Sequence, residues 1–267
     1  MRSFDYHRPT TLKEAVSLLR KVEKARPIAG GQSLIPAMKL RLASAGALVD
    51  LGAIEEMRGI KLEGGTLVVG ALARHAEVAS SKEAAVSIPA LARLADGIGD
   101  RQVRNQGTIG GSLANNDPAA DYPAAVLGLG ATVNTNKRAI AADKFFTGPF
   151  ETALKPDEII TSVSFPLPKR AAYVKFRQPA SRFAVVGIFV SESAGIVRVA
   201  VTGAANCVFR AKNMEKRLTE KFAPESVARV KVGPEDFNSD MHASAEYRSH
   251  LITVLAQRAV EAAIAGK

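Results

Sequence analysis

Ala29-Gly30-Gly31-Gln32-Ser33 and Thr108-Ile109-Gly110-Gly111-Ser112 share one chemical plan: a glycine pair set between an apolar residue and a hydroxyl residue. Glycine has no Cβ, so such a pair lets the backbone approach a ligand and turn successive N–H groups to one side, which nests an anion. Ser33, Thr108 and Ser112 add hydroxyls. One loop of this kind alone is ordinary turn chemistry. Two of them closing from opposite sides suit a pyrophosphate, whose acceptor oxygens they could satisfy without a lysine clamp. Rival phosphate motifs are missing. The chain has no G-x-x-x-x-G-K-S/T, and no G-x-G-x-x-G joins a strand to a helix.

Upstream of the first loop, Thr11-Leu12-Lys13-Glu14 has the form of a capping box, and Leu12, Ala15, Val16 and Leu19 share a face at helical spacing. A helix to about Val22 is expected. Pro27-Ile28-Ala29 and Ala47-Leu48-Val49-Asp50-Leu51 predict the strands of a small β-α-β unit. Ile60-Lys61-Leu62, Glu63-Gly64-Gly65 and Thr66-Leu67-Val68-Val69 form a hairpin pattern, with helical segments at 73–79 and 89–96. Residues 97–121 are polar and rich in glycine and show neither period, so a long functional loop is expected there. Beyond it, 131–135, 159–165, 172–176, 183–190 and 196–202 alternate or are β-branched, which predicts strands paired mostly antiparallel. Met214, Leu218 and Phe222, and then Tyr247, Leu251, Val254, Leu255 and Ala259, predict two closing helices. The fold class expected is α+β in three parts, residues 1–55, 56–169 and 170–267.

The 267 residues are 47% hydrophobic, enough for a real core. Lys plus Arg number 36 against 26 Asp plus Glu, a formal charge of +10, but no basic stretch is interleaved with aromatics. That argues against a nucleic-acid platform. The single cysteine, Cys207, excludes an internal disulfide and any iron–sulfur cluster held by this chain alone. His7, His75, His242 and His250 lack ligand spacing, so no metal site is expected and each histidine is assigned to the surface or the core. The start has no apolar h-region, and no run approaches the roughly 18 apolar residues of a membrane span. A cytoplasmic protein is expected.

The two loops are followed by Leu113-Ala114-Asn115-Asn116-Asp117-Pro118-Ala119-Ala120-Asp121-Tyr122-Pro123-Ala124, later by Tyr173-Val174-Lys175-Phe176-Arg177, and by Asn238-Ser239-Asp240-Met241-His242-Ala243-Ser244-Ala245-Glu246-Tyr247-Arg248. Together these resemble the FAD-binding medium subunits of the carbon monoxide dehydrogenase and xanthine dehydrogenase family of molybdenum hydroxylases. The likeness runs over nearly the whole chain. It implies a PCMH-type (vanillyl-alcohol oxidase-like) FAD-binding fold: two α/β subdomains plus a C-terminal antiparallel sheet with helices. FAD would lie, non-covalently bound, in the cleft between the first two.

The resemblance further implies that Ile28, Ala29, Gly30, Gly31, Gln32, Ser33 and Leu34 hold the pyrophosphate and part of the ribityl chain through backbone amides. Thr108, Ile109, Gly110, Gly111 and Ser112 would close on the same phosphates. Asp121 would accept hydrogen bonds from the ribityl hydroxyls or nearby cofactor atoms, and Lys175 and Phe183 would approach the isoalloxazine. The implied function is electron transfer, from iron–sulfur clusters of a small partner subunit to an external acceptor. Substrate would be oxidised in a large partner subunit, so the molybdenum cofactor and the 2Fe–2S clusters belong to partners, in a heterotrimer that dimerises. No catalytic residue is expected in this chain. Two alternatives stay open: a free-standing FAD-dependent oxidase or reductase, and a non-enzymatic nucleotide-binding protein.

Overall fold

Thr11 starts the first helix as its spacing predicts, its hydroxyl accepting from Glu14 N–H at 3.2 Å. In the computed structural model, which describes residues 1–266, the N-terminal part runs β1 (Asp5–His7), α1 (Leu12–Lys21), β2 (Ala25–Ile28), α2 (Leu34–Lys39) and β3 (Ala47–Asp50). The last residue of the expected 170–267 segment lies outside the described residues. β3 is central and parallel to both β1 and β2, the pairing that a helical crossover permits. β1 and α2 went unpredicted because each is too short to show a period. α2 closes at Arg41, which adopts φ 62°. There Leu42 N–H donates to Ala37 O at 2.9 Å and Arg41 N–H to Met38 O at 3.1 Å, a left-handed cap that usually carries glycine.

The middle part opens with the hairpin of β4 (Ile60–Glu63) and β5 (Thr66–Gly70), turned by Gly64 and Gly65 at positive φ, as a two-residue loop requires. α3 (His75–Ser80), α4 (Lys82–Ser87) and α5 (Pro89–Asp96) follow. The stretch 97–121 is not one long loop. It contains α6 (Arg101–Gln106) and α7 (Ile109–Asn115), begun by Asp100 and Thr108, whose side chains accept from Val103 N–H and Gly111 N–H. α6 fully buries no residue and α7 includes Gly-Gly, a poor helix former, so neither betrays itself by an apolar stripe. α8 (Tyr122–Leu129) is equally silent in the sequence, because every one of its residues is buried. A helix apolar on all sides has no face for a period to reveal. Then come β6 (Thr132–Thr135), β7 (Ala139–Ala141), β8 (Phe146–Gly148), β9 (Glu151–Thr152) and β10 (Ile160–Pro166). The main sheet here is antiparallel in the order β4-β5-β10-β6-β7.

The third part is the antiparallel sheet β11 (Arg170–Arg177), β12 (Ala184–Ser193), β13 (Ile196–Thr202) and β14 (Phe209–Arg210), with α9 (Lys212–Glu220) and α10 (Ala245–Ile264). Phe222 lies past the end of α9. α10 packs on β11 and β12, while α8 packs against β12 and β13. The largest core cluster therefore spans the first two parts and takes in Phe189 and Ala200 of the third sheet, with a second cluster around α10. Among the described residues, no helix is long and apolar enough to cross a membrane.

Candidate functional site

The two glycine loops meet. A Cβ on Gly30 would stand 2.0 Å from the carbonyl oxygen of Gln106 and 2.8 Å from Cα of Gly107, so the first loop rests on the backbone that leads into Thr108. The second loop is itself held by residues 71–75. Gly110 N–H donates to Ala71 O at 2.9 Å, Ile109 N–H to Ala73 O at 3.1 Å, and His75 N–H to Gly107 O at 2.9 Å. Gly111 N–H is taken by the Thr108 hydroxyl at 3.1 Å and Ser112 N–H by Thr108 O at 3.0 Å. The amides of Ile109, Gly110, Gly111 and Ser112 are thus all occupied within the chain.

The first loop is the opposite case. Among the described residues, the N–H groups of Gly30, Gly31, Gln32, Ser33 and Leu34 donate to no acceptor in the chain. Gly31, at φ 69°, bends this row, and the Ser33 side chain makes no capping bond to α2. Five successive free amides beside a free hydroxyl are the donor set a phosphate group needs. The free amides are therefore concentrated in the first loop, with the second as the wall it leans on. In that wall Thr108, Ile109 and Gly110 are buried, Ser112 is half-buried and Gly111 is exposed. Ile28, Ala29 and Leu34 are half-buried beside the amide row, and Gln32 is exposed. The glycines accordingly do different work. Gly30 and Gly110 are required by the protein's own backbone, whereas a Cβ on Gly111 would meet only the Thr108 hydroxyl, at 3.0 Å.

Asp121, Lys175 and Phe183 lie around a second focus. Asp121 is 4% exposed, and Lys175 Nζ lies 3.0 Å from both its carboxylate oxygens. Tyr173, on the same face of β11 as Lys175 because strand side chains alternate, donates its hydroxyl to Asp121 Oδ1. Lys175 Nζ also donates to Gly97 O at 2.9 Å and to Arg182 O at 2.8 Å, and three such acceptors saturate an ammonium. Arg182 donates to Gly99 O at 3.1 Å, and Arg104 to Ile98 O and Gly99 O at 3.0 and 3.1 Å. Three cations thus grip the carbonyls of residues 97–99. Burial raises the Asp121 carboxyl above its usual range, with the Lys175 ammonium and the Tyr173 hydroxyl pulling the other way. Asp121 and Lys175 are engaged with each other and with backbone rather than left open. Phe183 follows Arg182 and is 46% exposed. Tyr173 and Gly107 carry roles here that the sequence pattern alone did not single out.

An open amide row on a small parallel unit, docked on a second unit and closed by a third antiparallel sheet, defines a protein that binds a phosphate-bearing cofactor. Comparison with known proteins specifies which. Residues 2–168 match the family described as FAD binding domain in molybdopterin dehydrogenase, and residues 171–263 the CO dehydrogenase flavoprotein C-terminal domain. The chain belongs to the family of FAD-binding medium subunits of molybdenum hydroxylases, and is an FAD-dependent oxidoreductase subunit.

It is 36% identical over 278 residues to the carbon monoxide dehydrogenase medium chain of Afipia carboxidovorans, covering 98% of this chain and 96% of that one. It is 34% identical over 269 residues to the nicotine 6-hydroxylase medium subunit of Paenarthrobacter nicotinovorans, covering 96% and 95%. Its fold superposes on reconstituted CO dehydrogenase from Oligotropha carboxidovorans with a TM-score of 0.91 at 34% identity, over 100% of this chain and 99% of that chain. Quinoline 2-oxidoreductase from Pseudomonas putida gives a TM-score of 0.90 at 28% identity, covering 99% and 98%. Relatives of this kind are subunits of multi-subunit enzymes.

Proposed function

We propose that this chain binds FAD on the free amide row of residues 30–34 and relays electrons from iron–sulfur clusters of a small partner subunit to an external acceptor. The observation that carries the site is that row, five unengaged N–H groups docked against Gln106 and Gly107. Ser33 would add its hydroxyl, and Thr108, Ile109, Gly110, Gly111 and Ser112 would wall the phosphates from the second unit. Tyr173, Asp121 and Lys175 would hold the third part so that Phe183 stands at the ring end of the cofactor. When bound, the flavin supplies the ability to take up and give up electrons singly or in pairs. The chain's own residues bind it, orient it and limit its contact with water.

Substrate would be oxidised at a molybdenum cofactor in a large subunit, the three chains forming a cytoplasmic heterotrimer that dimerises. Residues 1–55 and 56–169 would form the two FAD-binding subdomains and 170–267 the closing one. The experiment is to purify the chain alone, measure its FAD content, and assay it with aldehydes, purines and carbon monoxide, then repeat with the co-expressed partner subunits. FAD on the lone chain with turnover confined to the complex is the expected result. Robust substrate turnover by the lone chain would instead make it a free-standing oxidase, and a chain that takes up no FAD would refute the site.

A further inference from the structure

His75 opens α3, is 5% exposed, and has an Nδ1 with no hydrogen-bond partner. The ring beside it, Tyr122, has its centroid 5.3 Å away, and the Tyr122 hydroxyl is buried and unpartnered too. Unpaired polar groups in a core cost stability that an apolar pair of the same shape would not. Positions that break such a local rule are the ones kept for something other than stability.

The other edge of the imidazole shows what that is. A Cβ on Gly107 would stand 2.5 Å from His75 Nε2 and 2.9 Å from its Cδ2, so the ring edge lies directly against Gly107. The backbone N–H of His75 also donates to the Gly107 carbonyl at 2.9 Å. Gly30 in turn rests on the Gln106–Gly107 peptide, with a Cβ there standing 2.0 Å from Gln106 O and 2.8 Å from Gly107 Cα. A stack therefore runs from the core outward: Tyr122, His75, the Gln106–Gly107 peptide, Gly30, and then the row of free amides.

We propose that His75 is a positioning residue for FAD, its flat ring setting the height of Gly107 and with it the spacing between the two glycine loops. The proposal rests on the site assigned above. A phosphate bonded by backbone amides tolerates donor–acceptor distances of only about 2.7–3.2 Å, so a loop that sinks or rises by a fraction of that range loses bonds. Removing the ring leaves a gap into which Gly107 sinks. Adding a methyl to Gly107 pushes the loop off the ring, although its φ of −62° suits alanine.

The test is a cycle on the full-length apo chain, titrated with FAD by quenching of flavin fluorescence while the same samples are melted without FAD. His75→Ala and Gly107→Ala should each weaken FAD binding by about tenfold or more. In the double variant the new methyl occupies the place the imidazole edge vacates, and affinity should return to within about threefold of the parent without a matching recovery in melting temperature. Single variants that bind FAD as the parent does, or a double variant no better than the weaker single, would overturn the proposal. So would affinity that merely follows melting temperature across the set. If His75→Ala does not fold, His75→Asn takes its place, its planar amide stopping short of Gly107. A parent chain that takes up no FAD would overturn the site reading itself, an outcome distinct from an unchanged affinity in the variants.

Discussion

Gly110 lies on Ala71: a Cβ added to Gly110 would stand 2.7 Å from Ala71 Cβ and 2.8 Å from the Ala71 carbonyl oxygen, which already accepts the Gly110 N–H. The glycine is thus demanded by the scaffold before any ligand arrives. Gly110→Val should destabilise the apo chain by about 3 kcal/mol or more, because overpacking against backbone cannot be relieved by a rotamer change. Urea denaturation without FAD measures it, and an apo variant as stable as the parent would return Gly110 to the role of a ligand-facing residue.

Asp121→Ala should cost about 3–5 kcal/mol of stability, the loss expected when one partner of a buried ion pair is removed and the other stays buried. The side chains of Lys175 and Asp121 are 10% and 4% exposed, so solvent screening does little to soften the effect. FAD affinity should fall as well, through loosening of the Arg182–Phe183 turn that Lys175 also holds. Equal unfolding midpoints for variant and parent would show that the pair contributes nothing net.

The folded chain should lose stability between pH 6.5 and 4 through His75. Burial, aided by the nearby Arg104 guanidinium, lowers its pKa from 6.5 to about 4. The unfolded chain therefore takes up the proton first as pH falls, and the stability present above 6.5 drains away by about 3 kcal/mol by the time the folded form titrates. Asp157 and Glu158, each lowered to about 2 by hydrogen bonds from Lys137 and from Arg138 respectively, drain theirs only below about 4.5. His75→Asn should flatten the curve of unfolding free energy between pH 6.5 and 4.5. A slope unchanged by the substitution would assign it to other groups.

Arg41→Gly should stabilise the chain by up to about 1 kcal/mol, since a left-handed conformation costs an L side chain about 1–2 kcal/mol and glycine returns part of that as chain entropy. Arg41 stands at φ 62° in the cap of α2, between Leu40 and Leu42, which are 70% and 80% exposed. Thermal melting reads the gain. A lower melting temperature would mean the guanidinium holds a contact worth more than the strain.

The sheets were legible because their signals are local. Gly64-Gly65 between alternating residues announces the β4–β5 hairpin, and the runs that became β11, β12 and β13 carry their β-branched pattern openly. The pairing of the two glycine loops was legible too, and the structure does bring Gly30 onto Gly107. What could not be read was which glycine the protein's own backbone requires, because that depends on whose backbone stands opposite. α6 and α7 were hidden by polar and glycine-rich sequence, and α8 by having no polar face at all. The sequence assigns His75 only to the surface or the core, since nothing local distinguishes a ring that is satisfied from one that props up a loop.

α8 carries one more implication. Its residues are covered on every side, in part by β12 and β13, although it precedes them by a long stretch of chain. The point near residue 169 where one family match gives way to the next is therefore not a seam in the packing. A fragment ending there would keep the whole amide row yet bare the face of α8 that β12 and β13 cover.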